Sequence, residues 1–304
     1  MRAIPPFSHR AAFAFASSGW RGSQFMWQVA SKLQRVRDGE RVRLSNGFPL
    51  IIDSQDWISK TIYEGTYERA LLKFLDGLVL TESYVDVGAN IGVTLWHSLN
   101  GSDSTATFMV FEPSAQCFKA LGNTRIDIRN QGQIFDYAIG DTDGRGTLFG
   151  LDNQAHSGAA SLAAHPGIRG GHGEVKVHKL DTALGNLLGE HSISLLKIDT
   201  EGYEAQVVDG AQKTLRSGKV EMVVMEVSPN FGPVEFLNNV DKLLGGKYCW
   251  FYLDERGKVR KTPYLRQIDL AEALKYQHQW NLVLMRKDIF AIYKKSPGRI
   301  AITS

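Results

Sequence analysis

Apolar residues run along this chain in two rhythms. Between Trp57 and Leu80, the residues Ala70, Leu71, Phe74, Leu75 and Leu78 recur at steps of three and four, the spacing that gathers side chains on one face of a helix. From Tyr84 onward, short apolar runs alternate with helical stretches. YVDV, TFMVFE, QIFDYAIG, ISLLKID and VEMVVMEV read as five strands. Helices are expected between most of them: Ile91, Leu95 and Leu99 share a face, as do Cys117, Phe118 and Leu121, and as do Ala205, Val208, Ala211 and Leu215. FPLIID (48–53) precedes the series as a short strand. After the third run the glycines of GDTDGRG suit a turn, TLFGL and EVKVHKL follow as strands, and DTALGNLLG reads as a short helix with Asp181 as its N-cap. GPVEFLNNVDKLLGG, YCWFYLD, LAEALKYQHQW and NLVLMRK complete the alternation, and the aromatic run YCWFY (248–252) reads as a buried strand.

Strand alternating with helix specifies an α/β fold, a mostly parallel sheet with helices on both faces. Ligands of such sheets lie in the crevice beyond the carboxyl ends of the strands. That rule selects five places here: GANIG, Glu112, the stretch after Tyr137, Asp199–Glu201 and Glu226–Pro229.

Composition narrows the class. The chain has 304 residues, 43% hydrophobic and 22% charged, which excludes a largely disordered protein and leaves ample material for a core. No apolar run approaches the length of a membrane-spanning helix, and the AAFAFA patch near the start is too short for a signal peptide, so a cytoplasmic protein is expected. The net charge of +3 does not argue for a nucleic-acid partner. Before residue 45, however, Arg2, Arg10, Arg21, Lys32, Arg35, Arg37, Arg41 and Arg43 face only Asp38 and Glu40. Residues 1–45 are therefore expected to form a basic N-terminal extension, solvated or in contact with an anionic surface. Cys117 and Cys249 lie far apart without a CxxC partner, which fits a reducing compartment and neither a disulfide framework nor a zinc site.

The loop after the first core strand carries the first chemical signal. In DVGANIG, Asp86 ends the strand and Gly88 and Gly92 stand four apart, so the chain can turn sharply and admit a ligand against its backbone. A helix expected to begin near Asn90 would direct its free N–H groups into the same crevice. Glu112 ends the next strand, where an acid can accept hydrogen bonds from both hydroxyls of a ribose. The spacing lacks the third glycine of a dinucleotide fingerprint, and a strand-end aspartate would repel a phosphate. It suits a nucleoside bearing a cation: the ammonium and sulfonium of S-adenosylmethionine.

YVDVGANIG, VFEPSAQCFKAL, YAIGD, KLDTAL and LLKIDTEGYEAQVVDGA resemble, in order and spacing, the FkbM family of S-adenosylmethionine-dependent methyltransferases, and IYEGTYE (62–68) resembles the aromatic segment ahead of that family's first strand. The resemblance spans about residues 55–290. It implies a Rossmann-like class I methyltransferase with a seven-stranded, mostly parallel sheet, acting on hydroxyls of sugars, glycoconjugates or small natural products. The methyltransferase domain would occupy 46–304, with a cap segment at 46–80 and an inserted lid loop at 152–175. Position by position, Asp86, Gly88, Ala89, Asn90 and Gly92 match the methionine-side loop and Glu112 the ribose acid. Ala138 and Ile139 match the adenine wall, and Asp136 or Asp141 could reach the adenine amino group. Tyr67 and Glu68 would cover the cofactor.

At KIDTEGYE, Lys197, Asp199 and Glu201 alternate onto one side if the strand persists. A hydroxyl acceptor has a high pKa, and a base within hydrogen-bond reach helps as the new bond forms. Asp199, with Glu201 next, is the expected catalytic carboxylate; the alternative is that Asp199 caps the following helix. Glu204 would pair with Lys197 or stay solvated. Lys197, Glu226, His165 and His172 are candidate acceptor contacts, the histidines because they lie in the glycine-rich 156–173 stretch, where one could replace Asp199 as base. His156, His165, His172 and His178 follow no metal-site spacing, and no metal is expected. Two other functions stand beside methyl transfer: a non-catalytic nucleoside-binding or docking protein, and an NAD-dependent oxidoreductase.

Overall fold

The computed structural model describes residues 2–3, 39–44, 46–53, 56–99, 105–151, 157–164, 171–185, 191–230, 234–253, 264–295 and 301–303. In chain order the strands and helices begin with β1 (Arg2–Ala3), β2 (Arg41–Arg43), β3 (Pro49–Ile51), α1 (Trp57–Glu64) and α2 (Arg69–Asp76). The core alternation follows: β4 (Ser83–Val87), α3 (Val93–Leu99), β5 (Phe108–Phe111), α4 (Ala115–Asp127) and β6 (Gly132–Phe135). Then come β7 (Ala138–Gly140), β8 (Gly144–Leu151), β9 (Gly171–Lys179), α5 (Leu180–Leu184), β10 (Ile193–Ile198), α6 (Glu204–Gly210) and α7 (Gln212–Arg216). The chain closes with β11 (Met222–Val227), α8 (Phe236–Leu244), β12 (Tyr248–Leu253), β13 (Tyr264–Ile268), α9 (Leu270–Ala273), β14 (Trp280–Arg286), α10 (Lys287–Lys294) and β15 (Ala301–Thr303).

The main sheet has nine strands in the order β15-β13-β12-β14-β11-β10-β4-β5-β6. From β6 to β11 neighbouring strands run parallel, while β14 is antiparallel to both β11 and β12. The class I α/β architecture is as expected, but seven strands are exceeded: β13 and β15 extend the edge beyond β12. Two clusters of buried apolar residues cover the two faces. Strand alternation sorts them: Tyr84 belongs to one cluster, and Val85 and Val87 to the other.

QIFDYAIG does not form one strand. Its first half is β6 at the edge of the main sheet, and its second half is β7, which joins β8 and β9 in a separate three-stranded sheet. Asp181 is no N-cap of its own helix; Lys179 stands there, and Asp181 instead accepts from the Lys213 and Thr214 N–H groups at the start of α7. YCWFY is a buried strand, β12, as its composition indicated.

Most of the basic leader lies outside the described residues. Of the part that is described, Arg41 and Arg43 on β2 both pair with Asp127 at the end of α4, at 2.8 and 3.1 Å, and Val42 and Leu44 enter the core. β2 pairs antiparallel with β3, Arg41 with Ile51 and Arg43 with Pro49. No helix among the described residues is long and apolar enough to cross a membrane.

Candidate functional site

The carboxyl ends of β4, β5, β10 and β11 open on one cavity of about 420 Å³. Gly88, Asn90 and Gly92 in the loop after β4 all have positive φ, at 83°, 50° and 86°. Left-handed residues cannot sit inside an α-helix, so α3 begins at Val93 and not near Asn90. Gly88 has a second constraint: a Cβ there would lie 1.8 Å from the carbonyl oxygen of Asp199. Only glycine lets the loop after β4 pass so close to the end of β10. Gly92 packs on α4, where a Cβ would meet Leu121 at 2.8 Å, and it does not line the cavity.

At the β5 end, Glu112 is buried and faces the cavity. Its Oε2 accepts from the Asn90 N–H and its Oε1 from the Ser114 N–H, each at 2.8 Å. The N–H of Asn90, expected to meet a ligand, is therefore spent on orienting Glu112. Each carboxylate oxygen keeps a second lone pair for a hydroxyl donor. Burial raises this carboxyl to about 7, against the lowering effect of the two backbone hydrogen bonds. Phe111, Cys117, Ala138, Ile139 and Leu148 form an apolar wall beside it. A paired-hydroxyl receptor next to an apolar slot fits an adenine nucleoside.

Asp86 is fully buried and is not part of the cavity lining. The period of the strand places it on the face of Tyr84, and the parallel register sets it beside Lys197. Its Oδ2 accepts from Tyr84 Oη (2.7 Å) and Thr94 Oγ1 (2.8 Å), while Oδ1 lies 3.3 Å from Lys197 Nζ. Asp86, expected among the cofactor contacts, stands on this geometry beside Lys197 and off the cavity lining.

Lys197 is 3% exposed and donates to the Gly88 carbonyl at 3.3 Å; its Nζ also lies 3.1 Å from Asp199 Oδ2. Burial works against its charge, but Asp199 and Asp86 outweigh that and hold the ammonium well above the ordinary lysine range. It is a buried cation held between two carboxylates and the Gly88 carbonyl. Asp199 itself, 17% exposed in its side chain, lines the cavity. It does not cap α6. The turn after β10 is held by Glu204, whose Oε1 accepts from the N–H groups of Thr200 (2.8 Å) and Gly202 (3.2 Å) and from Thr200 Oγ1 (3.0 Å). Glu204 is thus neither solvated nor paired with Lys197, and Asp199 is left to the cavity.

Three more carboxyls line the cavity: Glu68, Glu201 and Glu226. Burial, then Asp199 and Glu204, raise Glu201 to about 8. Burial, then Asp199 and Glu201, raise Glu226 well above the ordinary range. Tyr67 stands among them, its hydroxyl pushed up by burial and by Glu68 and Asp199. Trp57, at the start of α1, meets Tyr67 edge-on at 6.5 Å and lines the same opening.

Of the other expected residues, Ala89 lines the cavity, whereas Asp136 is exposed and does not. His172 is exposed on β9 away from the lining, His178 pairs with Asp143, and His156 and His165 lie outside the described residues. No histidine among the described residues lines the cavity. The inserted segment reaches it through Gly158–Leu162, tied down by Ser161 Oγ donating to the Thr200 carbonyl at 3.1 Å. Sequence reasoning missed Trp57, Tyr203 and Gln279: Tyr203 stands within KIDTEGYE but was given no role, and Trp57 and Gln279 carry no motif.

Comparison with known proteins agrees with this geometry. The model of the methyltransferase FkbM domain matches residues 86–253, more than half of the chain. No curated protein sequence matches. Among solved structures, the chain is similar to precorrin-6y C5,15-methyltransferase from Geobacter metallireducens (9% identity, TM-score 0.36, covering 72% of this chain and 88% of that one). It is also similar to magnesium protoporphyrin IX methyltransferase from Synechocystis (10%, 0.37, 94% and 100%) and to a human methyltransferase 10 domain containing protein (9%, 0.33, 72% and 80%). Those likenesses are too slight to bear on chemistry; the family match, over the same loops that build the cavity, is what decides. The chain belongs to the FkbM methyltransferase family and is an S-adenosylmethionine-dependent methyltransferase.

Proposed function

We propose that the chain methylates a hydroxyl oxygen of a sugar, glycoconjugate or small natural product, with Asp199 as the group that receives the hydroxyl proton. One observation carries this reading: at the end of β10 a carboxylate released from helix capping lines the cavity, paired through one oxygen with a buried, immobile ammonium. Glu112 would hold the ribose hydroxyls, Ala138 and Ile139 the adenine ring, and the Gly88–Asn90 loop the methionine portion. The bound cofactor supplies a methyl group already activated by a sulfonium, so alignment and exclusion of water are what the protein adds. Lys197 keeps Asp199 Oδ2 in place; Oδ1 accepts the proton as the acceptor oxygen loses it. Glu201 completes the acceptor wall, and Tyr67 with Gly158–Leu162 shields the reaction from solvent.

Among the described residues, five carboxyls (Glu68, Glu112, Asp199, Glu201 and Glu226) and one cation, Lys197, line the cavity. Among the described residues this lining offers a phosphate backbone one ammonium, already paired with Asp86 and Asp199, which supports a small or glycan acceptor over nucleic acid. Two free thiols, Cys117 and Cys249, support a reducing, cytoplasmic setting. The test is transfer of a labelled methyl group to a panel of hexoses, nucleotide sugars and polyhydroxylated natural products, with the modified atom located by mass spectrometry. Label on oxygen, lost in Asp199→Asn, is expected. Label only on nitrogen or carbon overturns the reading.

A further inference from the structure

Glu226 is the penultimate residue of β11, one strand over from Asp199. The parallel register pairs Ile198 with Met225, so Asp199 and Glu226 are the next residues on two strands that lie about 4.8 Å apart. Both line the cavity. Glu226 is 4% exposed; the Gln279 amide donates to its Oε1, and its Oε2 has no hydrogen-bond partner among the described residues. A buried carboxyl oxygen with no partner, in the wall of a cavity, is a place where a ligand atom can bind.

The charges around Glu226 decide what it offers. Asp199 stands beside it and Glu201 faces it, while Lys197, the cation of the site, is already shared between Asp86 and Asp199. A second full negative charge next to Asp199 would have nothing to balance it, and burial removes the water that could. Gln279 donates to Oε1, so the proton of the neutral acid belongs on Oε2, the atom without a protein partner. We infer that Glu226 is an acceptor-positioning residue that works as a neutral carboxylic acid, donating from Oε2 to an oxygen on the carbon next to the methylated hydroxyl. The acceptor is then a 1,2-dioxygenated compound: a vicinal diol, or a hydroxyl beside an ether or carbonyl oxygen. Asp199 takes the reacting hydroxyl as an acceptor of hydrogen bonds, and Glu226 takes its neighbour as a donor. This rests on the hydroxyl-methylation reading and adds to it the shape of the substrate.

Two measurements test it. Infrared difference spectra of the wild type against Glu226→Gln at neutral pH should show the loss of one protonated-carboxyl C=O band; loss of carboxylate bands instead overturns the inference. The second uses the S-adenosylhomocysteine complex and saturation-transfer NMR with two probes, trans-1,2-cyclohexanediol and cyclohexanol. Wild type should favour the diol by about tenfold, roughly one charge-neutral hydrogen bond. Glu226→Gln, whose amide still donates, should keep most of that preference, and Glu226→Met should lose it. Equal binding of the two probes by wild type, or a preference that survives in Glu226→Met, overturns the inference. Should Glu226→Met not fold, the infrared result and the wild-type preference still decide. The hydroxyl-methylation reading fails separately, through Asp199→Asn transferring methyl groups as well as wild type.

Discussion

The two ends of the cavity are built on opposite plans. At the nucleoside end a single carboxyl, Glu112, is held by backbone N–H groups from Asn90 and Ser114, and its neighbours are apolar. At the end proposed for the acceptor, Asp199, Glu201 and Glu226 crowd together around one lysine, and an oxygen of Glu226 has no hydrogen-bond partner among the described residues. On the proposed placement the first plan would give rigid recognition of a constant ligand, because main-chain N–H groups hold Glu112. The second stores unmet hydrogen-bonding capacity in side chains from several elements, where substitution can change the acceptor without disturbing the sheet.

The largest expected effect strikes the seam between the ends. Gly88→Ala would force a Cβ to within 1.8 Å of the Asp199 carbonyl at a φ of 83°. Loss of about 3 kcal/mol or more is expected in denaturant unfolding, together with loss of cofactor binding. Next, Asp199→Asn should lower kcat about 100-fold while leaving S-adenosylhomocysteine affinity within about threefold in calorimetry. If it lowers only the melting temperature, Asp199 belongs to the structural frame and the contrast between the ends collapses. Glu112→Ala should do the reverse, weakening S-adenosylhomocysteine about 50-fold through two lost hydrogen bonds to a charged acceptor.

A smaller effect distinguishes the ends by pH. Folding raises the Glu112 carboxyl to about 7, so the stability it contributes is complete below the ordinary carboxylate range and is lost as pH rises through about 7. If Glu112 holds the ribose as proposed, the hydroxyls donate to its ionised form and cofactor binding expels that proton. Affinity for S-adenosylhomocysteine should therefore rise by up to about tenfold per unit from pH 6 to 7 and level above it. Glu112→Gln should flatten the profile; an unchanged slope would assign the proton to another group.

The same contrast explains how much of the molecule its sequence displays. The β4 and β10 runs, the glycine loop and Glu112 at a strand end are local signals, and they stand where period-two runs and turn glycines place them. Asp86 shows the limit: alternation puts it on the face of Tyr84, two residues away, but its partners Thr94 and Lys197 come from α3 and β10. Glu204 reads as a helix residue, yet its carboxylate folds back on the turn that frees Asp199. QIFDYAIG reads as one strand because apolar periodicity does not record that β7 leaves for a second sheet. Gln279 enters the acceptor end from a loop ahead of β14, with no pattern to announce it.

The most direct test of the account is a calorimetric titration of the purified chain with S-adenosylhomocysteine, beside the same titration with NAD and with Glu112→Ala. Micromolar binding of the sulfur nucleoside, weakened in the variant and absent for NAD, is the predicted result. Binding of NAD with equal strength, or S-adenosylhomocysteine binding untouched by Glu112→Ala, would contradict the placement of the nucleoside on Glu112.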